Sequence, residues 1–298
     1  MNEERGTTGL ATLEARIDRA LTAGDEGGIE VLGYGEISCV IAWRDGGRDL
    51  AAKRLPLFDT NQRFTAYRRT FEAYLEALTA TGVPVAPSRL ATTPAADGRL
   101  AVWCTQPLLE PHTIAPSWLR RANEEGARRL VTRVTDLIRR IVTPRLGLDG
   151  QLSNWAVVDG DLLYFDVTTP MMRDDEGREA LDTELFLASL PAALRPLVRR
   201  FLLRSILDTY YQPREDLRDL LANLFKEGLA PLLPIGLEIV NARLSSPLNE
   251  AEVRRYYRND ARMWALLQLL RRADRWWQRR VRRRQYPFLL PGKVERHV

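Results

Sequence analysis

The chain has 298 residues, 45% of them hydrophobic and 28% charged, with a net charge of +5, an ordinary balance for a globular protein. Its apolar runs are short and broken by proline, as at 229–237, so the sequence predicts no membrane-spanning helix. Two cysteines, Cys39 and Cys104, exclude a disulfide framework and lack metal-site spacing. The polar N-terminus predicts no signal peptide, and a reducing, cytoplasmic location is the expectation.

The N-terminal part predicts a tail, a helix and then a strand-rich region. Residues 1–9 are polar and predict a disordered tail, and apolar residues at helical spacing over 10–21 predict a helix that Gly24 ends. Three runs rich in aliphatic and β-branched residues follow at 29–32, 37–43 and 49–55. Turn signals separate these runs, so the simplest arrangement is a three-stranded antiparallel meander.

Helices dominate the rest of the predicted chain. A helix over 61–81 ends at Gly82, and two more strands are expected at 88–92 and 100–105. A proline-marked connector leads to a long helix over 117–143. Further helices are expected at 195–211, 214–229, 235–244 and 250–284. Asn249 and Glu252 form a capping pair that opens the last of them.

The strongest local motif is the segment 149–166, in which two apolar runs flank Asp159 and Gly160. Asp-Gly is a preferred two-residue turn of a β-hairpin, so residues 155–158 and 162–165 are predicted to pair around it. A hairpin of this register brings the residues just outside both strands together at its open end.

Three polar residues are expected at that open end. Asn154 and Asp166 would emerge side by side, and their oxygen atoms are the hard ligands that suit Mg²⁺. Asp149 lies five residues before Asn154 and is placed to accept a proton from an attacking hydroxyl. Any one of the three alone would be an ordinary turn residue, so the prediction depends on their joint spacing.

This arrangement resembles the catalytic loop and metal-binding segment of the kinase-like superfamily, in particular its branch of aminoglycoside phosphotransferases and choline kinases. The resemblance covers about residues 29–170 and implies an α+β, protein-kinase-like fold of two lobes. A small antiparallel β-rich N-lobe would span 29–106 after an N-terminal segment of 1–28. A larger helical C-lobe would span 107–298, with the catalytic hairpin at 149–170. The resemblance also implies ATP and Mg²⁺ as cofactors, Asp149 as the catalytic base, and Asn154 and Asp166 as magnesium ligands.

Two upstream segments fit the same resemblance. Gly33 and Gly35 lie in a turn between predicted strands, as a loop covering phosphates requires, with Ser38 where the family has a third glycine. Lys53 ends the segment Leu-Ala-Ala-Lys on the third predicted strand, which resembles the Val-Ala-Ile-Lys segment of the family. Lys53 would neutralise nucleotide phosphates, and Ala51 would leave room for adenine. Lysine is rare in this arginine-rich chain, which adds interest to Lys53.

The resemblance implies further contacts and also has gaps. The family pairs its strand lysine with a glutamate on the next helix, for which Glu72 is the candidate and Glu76 the alternative. Residues 102–108 would be the hinge that contacts adenine through its backbone. Gly147 replaces the usual histidine two residues before the base, and Asp166 is followed by Val-Thr in place of Phe-Gly. These departures indicate an atypical branch.

The C-terminal helix is predicted to be amphipathic and strongly basic. Its expected apolar face is formed by Met263, Leu266, Leu267, Leu270, Ala273, Trp277 and Val281. Eight arginines fall between 271 and 284. The simplest interpretation is a helix docked through its apolar side with a solvated basic face. Binding of an anionic substrate or a peptide partner are alternatives, and nucleic acid ranks last, although Trp276 beside Trp277 could stack on a base.

Three functions remain open from the sequence. The first is an ATP- and magnesium-dependent phosphotransferase acting on a hydroxyl of a small molecule. The second resembles the peptide Ser/Thr kinases that modify ribosomal-peptide natural products together with a lyase, with the basic helix holding an acidic leader. The third is a pseudokinase that binds nucleotide or a partner protein as a scaffold. The sequence does not indicate the acceptor.

Overall fold

A computed structural model describes residues 2–23, 28–34, 38–188, 190–192 and 194–288 of the chain. The fold is α+β, with a five-stranded antiparallel sheet, a separate two-stranded hairpin and a mainly helical second half. Among those residues, no helix is both long enough and apolar enough to cross a bilayer.

The chain begins with helix α1, Asn2–Ala23, which is longer than predicted. The expected disordered tail is wrong for residues 2–9, which continue the helix. Gly9 lies so close to Trp43 that an added Cβ would come within 2.9 Å of the indole, so this turn is packed against the sheet. Gly24, the predicted helix end, lies outside the described residues.

The sheet contains all five predicted strands. They are β1 Val31–Tyr34, β2 Cys39–Asp45, β3 Arg48–Arg54, β4 Arg89–Pro94 and β5 Leu100–Pro107. The strand order is β1-β2-β3-β5-β4, and every neighbouring pair is antiparallel. The predicted meander of the first three strands is therefore confirmed.

The two faces of the sheet are covered by different partners. Helix α1 packs its apolar side, including Ile17, against Ile41, Ala52 and Trp103 in a separate small core. The other face turns toward helix α2, Asn61–Ala80, and the helical half of the chain. Because side chains alternate along a strand, β3 contributes to both sides of the sheet.

The predicted long helix 117–143 is in fact two helices. Helix α3 spans Ala115–Leu119 and helix α4 spans Glu124–Ile141. Asn123 separates them because its side chain accepts a hydrogen bond from the backbone N–H of Gly126, which makes it the N-cap of α4. The capping signal therefore overrides the continuous apolar period.

Six more α-helices complete the described fold, together with a two-stranded hairpin and three short 3₁₀ helices at Leu152–Asn154, Thr209–Tyr211 and Ala230–Leu232. The six α-helices are α5 Glu184–Leu187, α6 Arg195–Phe201, α7 Leu203–Asp208, α8 Pro213–Lys226, α9 Leu233–Asn241 and α10 Glu250–Arg280. The predicted helix 195–211 is thus divided, and the last three predictions hold with shifted ends. Asn249 caps α10 as expected by accepting from the backbone N–H of Glu252 at 2.9 Å. The carboxylate of Glu252 binds Arg214 at 2.9 Å.

The facing of α10 differs from the prediction. Of the residues expected to dock, Met263, Leu266 and Trp277 are 50–52% exposed and Val281 is 48% exposed. Gln268 and Arg271 are buried in their place. The expectation of a docked apolar side is therefore wrong for these four residues, which face solvent, whereas Leu267 and Leu270 of the same predicted face are half-buried.

Candidate functional site

A tight β-hairpin forms where the Asp-Gly motif predicts it. Its strands are β6, Trp155–Val158, and β7, Asp161–Tyr164. Asp159 has a φ of 52° and Gly160 a φ of 85°, the positive pair that a type I′ turn requires. The predicted turn and its register are confirmed.

The open end of the hairpin brings Asn154 and Asp166 side by side. The backbone N–H of Phe165 donates to the carbonyl of Asn154 at 3.1 Å, which extends the pairing by one residue. The carboxamide of Gln106, at the end of β5, donates to the carbonyl of Phe165 at 2.8 Å. The sheet and the hairpin are thereby joined next to Asp166.

Lys53 reaches Asp166 across 113 residues of sequence. Its Nζ lies 2.7 Å from Asp166 Oδ1, and the two side chains are only 20% and 29% exposed. Thr168 Oγ1 also donates to Asp166 Oδ1, at 3.4 Å. Burial alone would raise the pKa of Asp166, but the ammonium of Lys53 outweighs it and holds that pKa below its usual value. Asp166 is therefore an anion beside a fixed positive charge.

Asn154 is oriented by the backbone of the predicted base. Its Nδ2 donates to the carbonyl of Asp149 at 3.2 Å, and in the described part of the chain its Oδ1 accepts no hydrogen bond. The side chains of Lys53 and Thr168 both donate to Oδ1 of Asp166, and neither of them donates to Oδ2. The two residues thus retain oxygen atoms of the kind that Mg²⁺ binds. Among the described residues, no three His, Cys, Asp or Glu side chains converge as a metal site, so other ligands would have to complete the shell.

Asp149 lies partly exposed beside this pair. Its Oδ1 accepts from the backbone N–H of Gln151 at 3.2 Å. Burial, and then the nearby charges of Asp219 and Asp166, raise the pKa of Asp149 to about 7. A carboxyl with a pKa close to neutral can take up a proton near physiological pH.

A model of a family of unknown function, DUF6206, matches residues 12–275, which include every candidate site residue. The chain belongs to this family. No curated protein matches the sequence significantly. In this DUF6206 member, function has to be argued from the arrangement of the site itself.

Two buried acids on α8 support the loop of Asp149, and neither was predicted from the sequence. Asp216 is fully buried and accepts from the backbone N–H of Gly150 at 3.1 Å. Asp219 accepts from the side chain of Gln151 at 2.8 Å. Burial, followed by the charge of Asp149, raises the pKa of Asp216 well above its usual value, and burial also raises that of Asp219.

A signal for these acids is present in the sequence. Asp216 and Asp219 are three residues apart and therefore share a helix face, and Leu217 and Leu220 of the same helix are fully buried. Acids interleaved with core leucines are uncommon unless they bind a specific partner. Here the partner is the backbone and side chain of the 149–151 loop.

Two glycines in this DUF6206 site are required by close packing. A Cβ at Gly150 would lie 2.4 Å from Ile138 Cδ1 and 3.0 Å from Asp216 Oδ2. A Cβ at Gly147 would lie 2.9 Å from the carbonyl of Tyr210. The histidine expected from the resemblance at position 147 therefore has no room, and neighbouring segments fill its space.

The predicted pairing of Lys53 with Glu72 is wrong. Glu72 is 61% exposed on its side chain, and its ion-pair partner is Arg68 at 3.9 Å. Glu76 is also exposed. Helix α2 turns an aromatic face inward, so an acid one position from Phe71 points to solvent.

Two tyrosine hydroxyls connect α2 to the site instead. Tyr67 Oη donates to the carbonyl of Thr168 at 2.9 Å, two residues after Asp166. Tyr74 Oη donates to the carbonyl of Gly147 at 3.1 Å, two residues before the predicted base. Both tyrosines are buried, so α2 is held to each side of the candidate site by enclosed hydrogen bonds.

The nucleotide-contacting residues predicted on the sheet are only partly brought together. Ala51 and Lys53 share a sheet face, and Ala51 lies opposite Gln106. Gly33 lies in β1 opposite Val40, beside a register irregularity, with open space where a Cβ would be. Ser38 is buried near Ile17 of α1. Gly35, the other predicted loop glycine, lies outside the described residues.

The predicted hinge is mostly strand. Residues 103–105 pair with β3 on one side and with β4 on the other, so their backbone is engaged in the sheet. The N–H of Leu108 donates to the carbonyl of Asp49 at 3.1 Å. Only the last part of 102–108, beyond the end of β4, has a side free for a ligand.

Proposed function

We propose that this chain is an ATP- and Mg²⁺-dependent phosphotransferase with a kinase-like two-lobe fold that acts on a hydroxyl of a small molecule. The observation that carries the proposal is the 2.7 Å contact between Lys53 on the sheet and Asp166 at the end of the hairpin. Phosphoryl transfer depends on positioning and on positive charge beside the phosphates. The partly exposed ammonium of Lys53 would supply the positive charge, and the side-chain oxygens of Asn154 and Asp166 would position the phosphates through a bound Mg²⁺.

The cation site follows from the residues present. Asn154 and Asp166 would hold Mg²⁺, which neutralises phosphate charge when it is bound. Lys53 would contribute a second positive charge beside them. Because Asp166 is anionic and Asn154 is fixed by its bond to the Asp149 carbonyl, the ligand pair is preorganised.

Asp149 is assigned as the group that receives the acceptor proton. As the acceptor oxygen bonds to the γ-phosphorus, the bond from that phosphorus to the β–γ bridging oxygen breaks and ADP leaves with the electron pair. The proton of the hydroxyl passes to Asp149. Partial exposure permits the required hydrogen bond, and the bond from the Gln151 N–H orients the carboxyl.

A pseudokinase scaffold is the second candidate, and one observation favours it. Lys53 binds Asp166 directly and forms no ion pair with Glu72 of α2, because the side chain of Glu72 faces solvent. A site arranged in this way could bind a nucleotide without positioning it for transfer. Measurement of binding and of transfer on the same sample separates the two candidates.

The test uses the full chain with ATP and Mg²⁺. We expect MgATP to raise the melting temperature of the wild type and a hydroxyl-compound library to yield a phosphorylated product. Asp149→Asn should keep the thermal shift and lose transfer by about 10²–10⁴-fold, the usual share of a general base. Asp161→Asn is a matched control, because Asp161 lies on the same hairpin with its side chain 88% exposed.

Each outcome has a defined meaning. A thermal shift without transfer to small hydroxyl compounds, but with phosphate on a serine-containing peptide, would replace the acceptor by a peptide. A shift with no transfer to either acceptor would favour the scaffold. No shift with MgATP in the wild type would refute nucleotide binding and the phosphotransferase proposal with it.

A further inference from the structure

Helix α10 carries an apolar stripe on its outer side. Its members are exposed by half or more: Met263, Leu266, Leu269, Trp276 and Trp277. With Ala273 between them, they recur every three or four residues and so follow one side of the helix. The stripe spans about 20 Å at 1.5 Å per residue.

Both ends of α10 are fixed, so the stripe cannot turn inward. At the start, Tyr257 stacks on Phe225 of α8 with ring centroids 5.4 Å apart. Beyond the helix end, the side chain of Gln285 donates to Asp18 Oδ1 of α1 at 3.0 Å. Arg279 also donates to the carbonyl of Leu21. The helix therefore spans from the helical half to α1 in one rotational setting.

The inward side of the C-terminal half of α10 buries two polar side chains beside the half-buried Leu267 and Leu270. Gln268 is 8% exposed and Arg271 is 1% exposed. Within the described residues, both side-chain polar atoms of Gln268 and the Nε and Nη1 of Arg271 lack a hydrogen-bond partner. The guanidinium of Arg271 also lies over the ring of Phe288, 5.8 Å from its centroid. Polar side chains thus take buried positions on α10 while leucine and tryptophan side chains on its outer side remain in water.

Charge around the stripe identifies the chemistry of its partner. Residues 261–288 contain nine arginines and one acid, Asp274. Arg262 and Arg280 are exposed at the two ends of the stripe, and three more exposed arginines follow at 282–284. A partner must therefore cover apolar side chains in the middle and accept positive charge at the margins.

We propose that the outer stripe of α10 docks on a lipid surface that carries anionic headgroups. Apolar side chains of a helix lying in the membrane plane enter the boundary of the acyl chains while flanking arginines reach phosphate groups. Tryptophan favours this interface because its ring is apolar and its N–H is polar. The helix lies on the membrane and does not cross it.

Other partners fit less well. A second copy of the chain would bring arginines against arginines across a two-fold contact, which is repulsive. Nucleic acid would match the charge but would leave Met263, Leu266 and Leu269 in water, because its backbone offers no apolar surface. The lipid proposal uses none of the residues of the candidate phosphotransferase site and stands independently of that function.

Vesicle sedimentation of the full chain tests the proposal. We expect the wild type to bind vesicles of phosphatidylcholine with phosphatidylserine, to bind pure phosphatidylcholine at least tenfold more weakly, and to be released by added salt. The double variant Leu266→Glu/Leu269→Glu should weaken binding at least tenfold. Both side chains face solvent, so the variant should melt as the wild type does.

The double variant Ala73→Glu/Ala80→Glu is the control, because it adds the same charge to exposed positions of α2. It should bind vesicles as the wild type does, apart from a modest uniform loss from its charge. Wild-type failure to bind anionic vesicles would overturn the proposal, as would equal binding by the α10 variant. A dimer in solution that the α10 variant converts to monomer would assign the stripe to self-association, and a shift of RNA without vesicle binding would assign it to nucleic acid.

Discussion

Two neighbouring residues of β3, Lys53 and Arg54, form ion pairs on opposite faces of the same sheet. Arg54 binds Glu14 of α1 at 2.6 Å, with side chains only 9% and 5% exposed, and Trp103 Nε1 donates to the same carboxylate at 3.2 Å. Lys53 binds Asp166 at 2.7 Å, and the two side chains of this pair are 20% and 29% exposed. The Arg54–Glu14 pair, called the closed pair below, is buried, whereas the Lys53–Asp166 pair, called the open pair, keeps contact with solvent.

The difference lies in how completely each pair is satisfied. The guanidinium of Arg54 donates from Nε and Nη2 to both oxygens of Glu14, a forked pairing that only arginine can make. Lys53 makes a single contact through a point charge on a flexible stem. Because the second pair is single and accessible, its members can exchange one partner for a ligand, whereas the first pair is part of the packing.

The largest expected effect is on transfer when the open pair is broken. Under the proposed function, Lys53→Met and Asp166→Asn should each lower kcat/KM by about 10³-fold, or about 4 kcal/mol. Their unfolding free energy should fall by at most about 2 kcal/mol, because both side chains of this pair keep some contact with water. Steady-state kinetics and urea unfolding of the same samples measure both. A large stability loss with unchanged kinetics would reverse the assignment of the two faces.

The closed pair should behave in the opposite way. Arg54→Met leaves Glu14 buried without its partner and should lower the unfolding free energy by about 3 kcal/mol, while MgATP binding is kept. The double variant Arg54→Met/Glu14→Gln should recover part of that loss, since no charge remains buried. Urea unfolding of both variants makes the comparison. Equal stability of the single variant and the wild type would contradict the structural role of this pair.

A third prediction concerns Asp216, which accepts a hydrogen bond from the loop that carries the proposed base. Asp216→Ala removes the acceptor of the Gly150 N–H and should cost about 2 kcal/mol. Asp216→Asn keeps that acceptor. Its amide nitrogen takes the place of Oδ2, which has no hydrogen-bond partner within the described part of the chain.

The two Asp216 variants should also differ in pH dependence. Burial raises the pKa of Asp216 in the folded chain, so the folded state binds the proton more tightly than the unfolded one. Wild-type stability should therefore fall as pH rises from the unfolded pKa, about 4, through the raised folded pKa. Asp216→Asn cannot ionise at this position. The unfolding free energy of this variant, relative to that of the wild type, should therefore be higher at pH 8 than at pH 5. Urea unfolding at pH 5 and at pH 8 tests this, and a relative stability of the variant that is higher at pH 5 than at pH 8 would contradict it.

Local patterns in the sequence predicted the parts of the site that local geometry determines. The turn at Asp159 and Gly160 requires positive φ at both positions, so two residues are enough to define the hairpin and the register that sets Asn154 opposite Phe165, next to Asp166. The resemblance placed Lys53 beside the nucleotide phosphates and Asp166 at the magnesium ion, and the structure brings the two side chains within 2.7 Å of each other, in an ion pair that was not itself predicted. Whether the site acts on ATP stays a prediction.

What the sequence could not give depends on how separate elements face one another. Glu72 was assigned as the partner of Lys53 because the family that the chain resembles pairs its strand lysine with a glutamate on the next helix, but the aromatic residues of α2 determine which side of that helix is buried. Helix α10 has a clear helical period, yet contacts of its two ends with α8 and α1 decide its rotation. Periodicity defines the faces of a helix and leaves open which of them docks.

The smallest expected effect is that of the two hydroxyls that hold α2. Tyr74→Phe keeps the ring in the core and removes the hydrogen bond to the Gly147 carbonyl, and Tyr67→Phe does the same at Thr168. Each should cost about 1 kcal/mol of stability. If these bonds replace the missing acid–lysine contact in positioning the site, Tyr74→Phe should also lower kcat with KM for ATP nearly unchanged, because the carbonyl it binds precedes Asp149 by two residues. The control Tyr257→Phe alters a buried tyrosine of α10 and should leave kcat unchanged at a similar stability. Equal kcat in all three variants would mean that the hydroxyls on α2 contribute to packing alone, and that Lys53 and Asp166 are positioned by the sheet and the hairpin without help from α2.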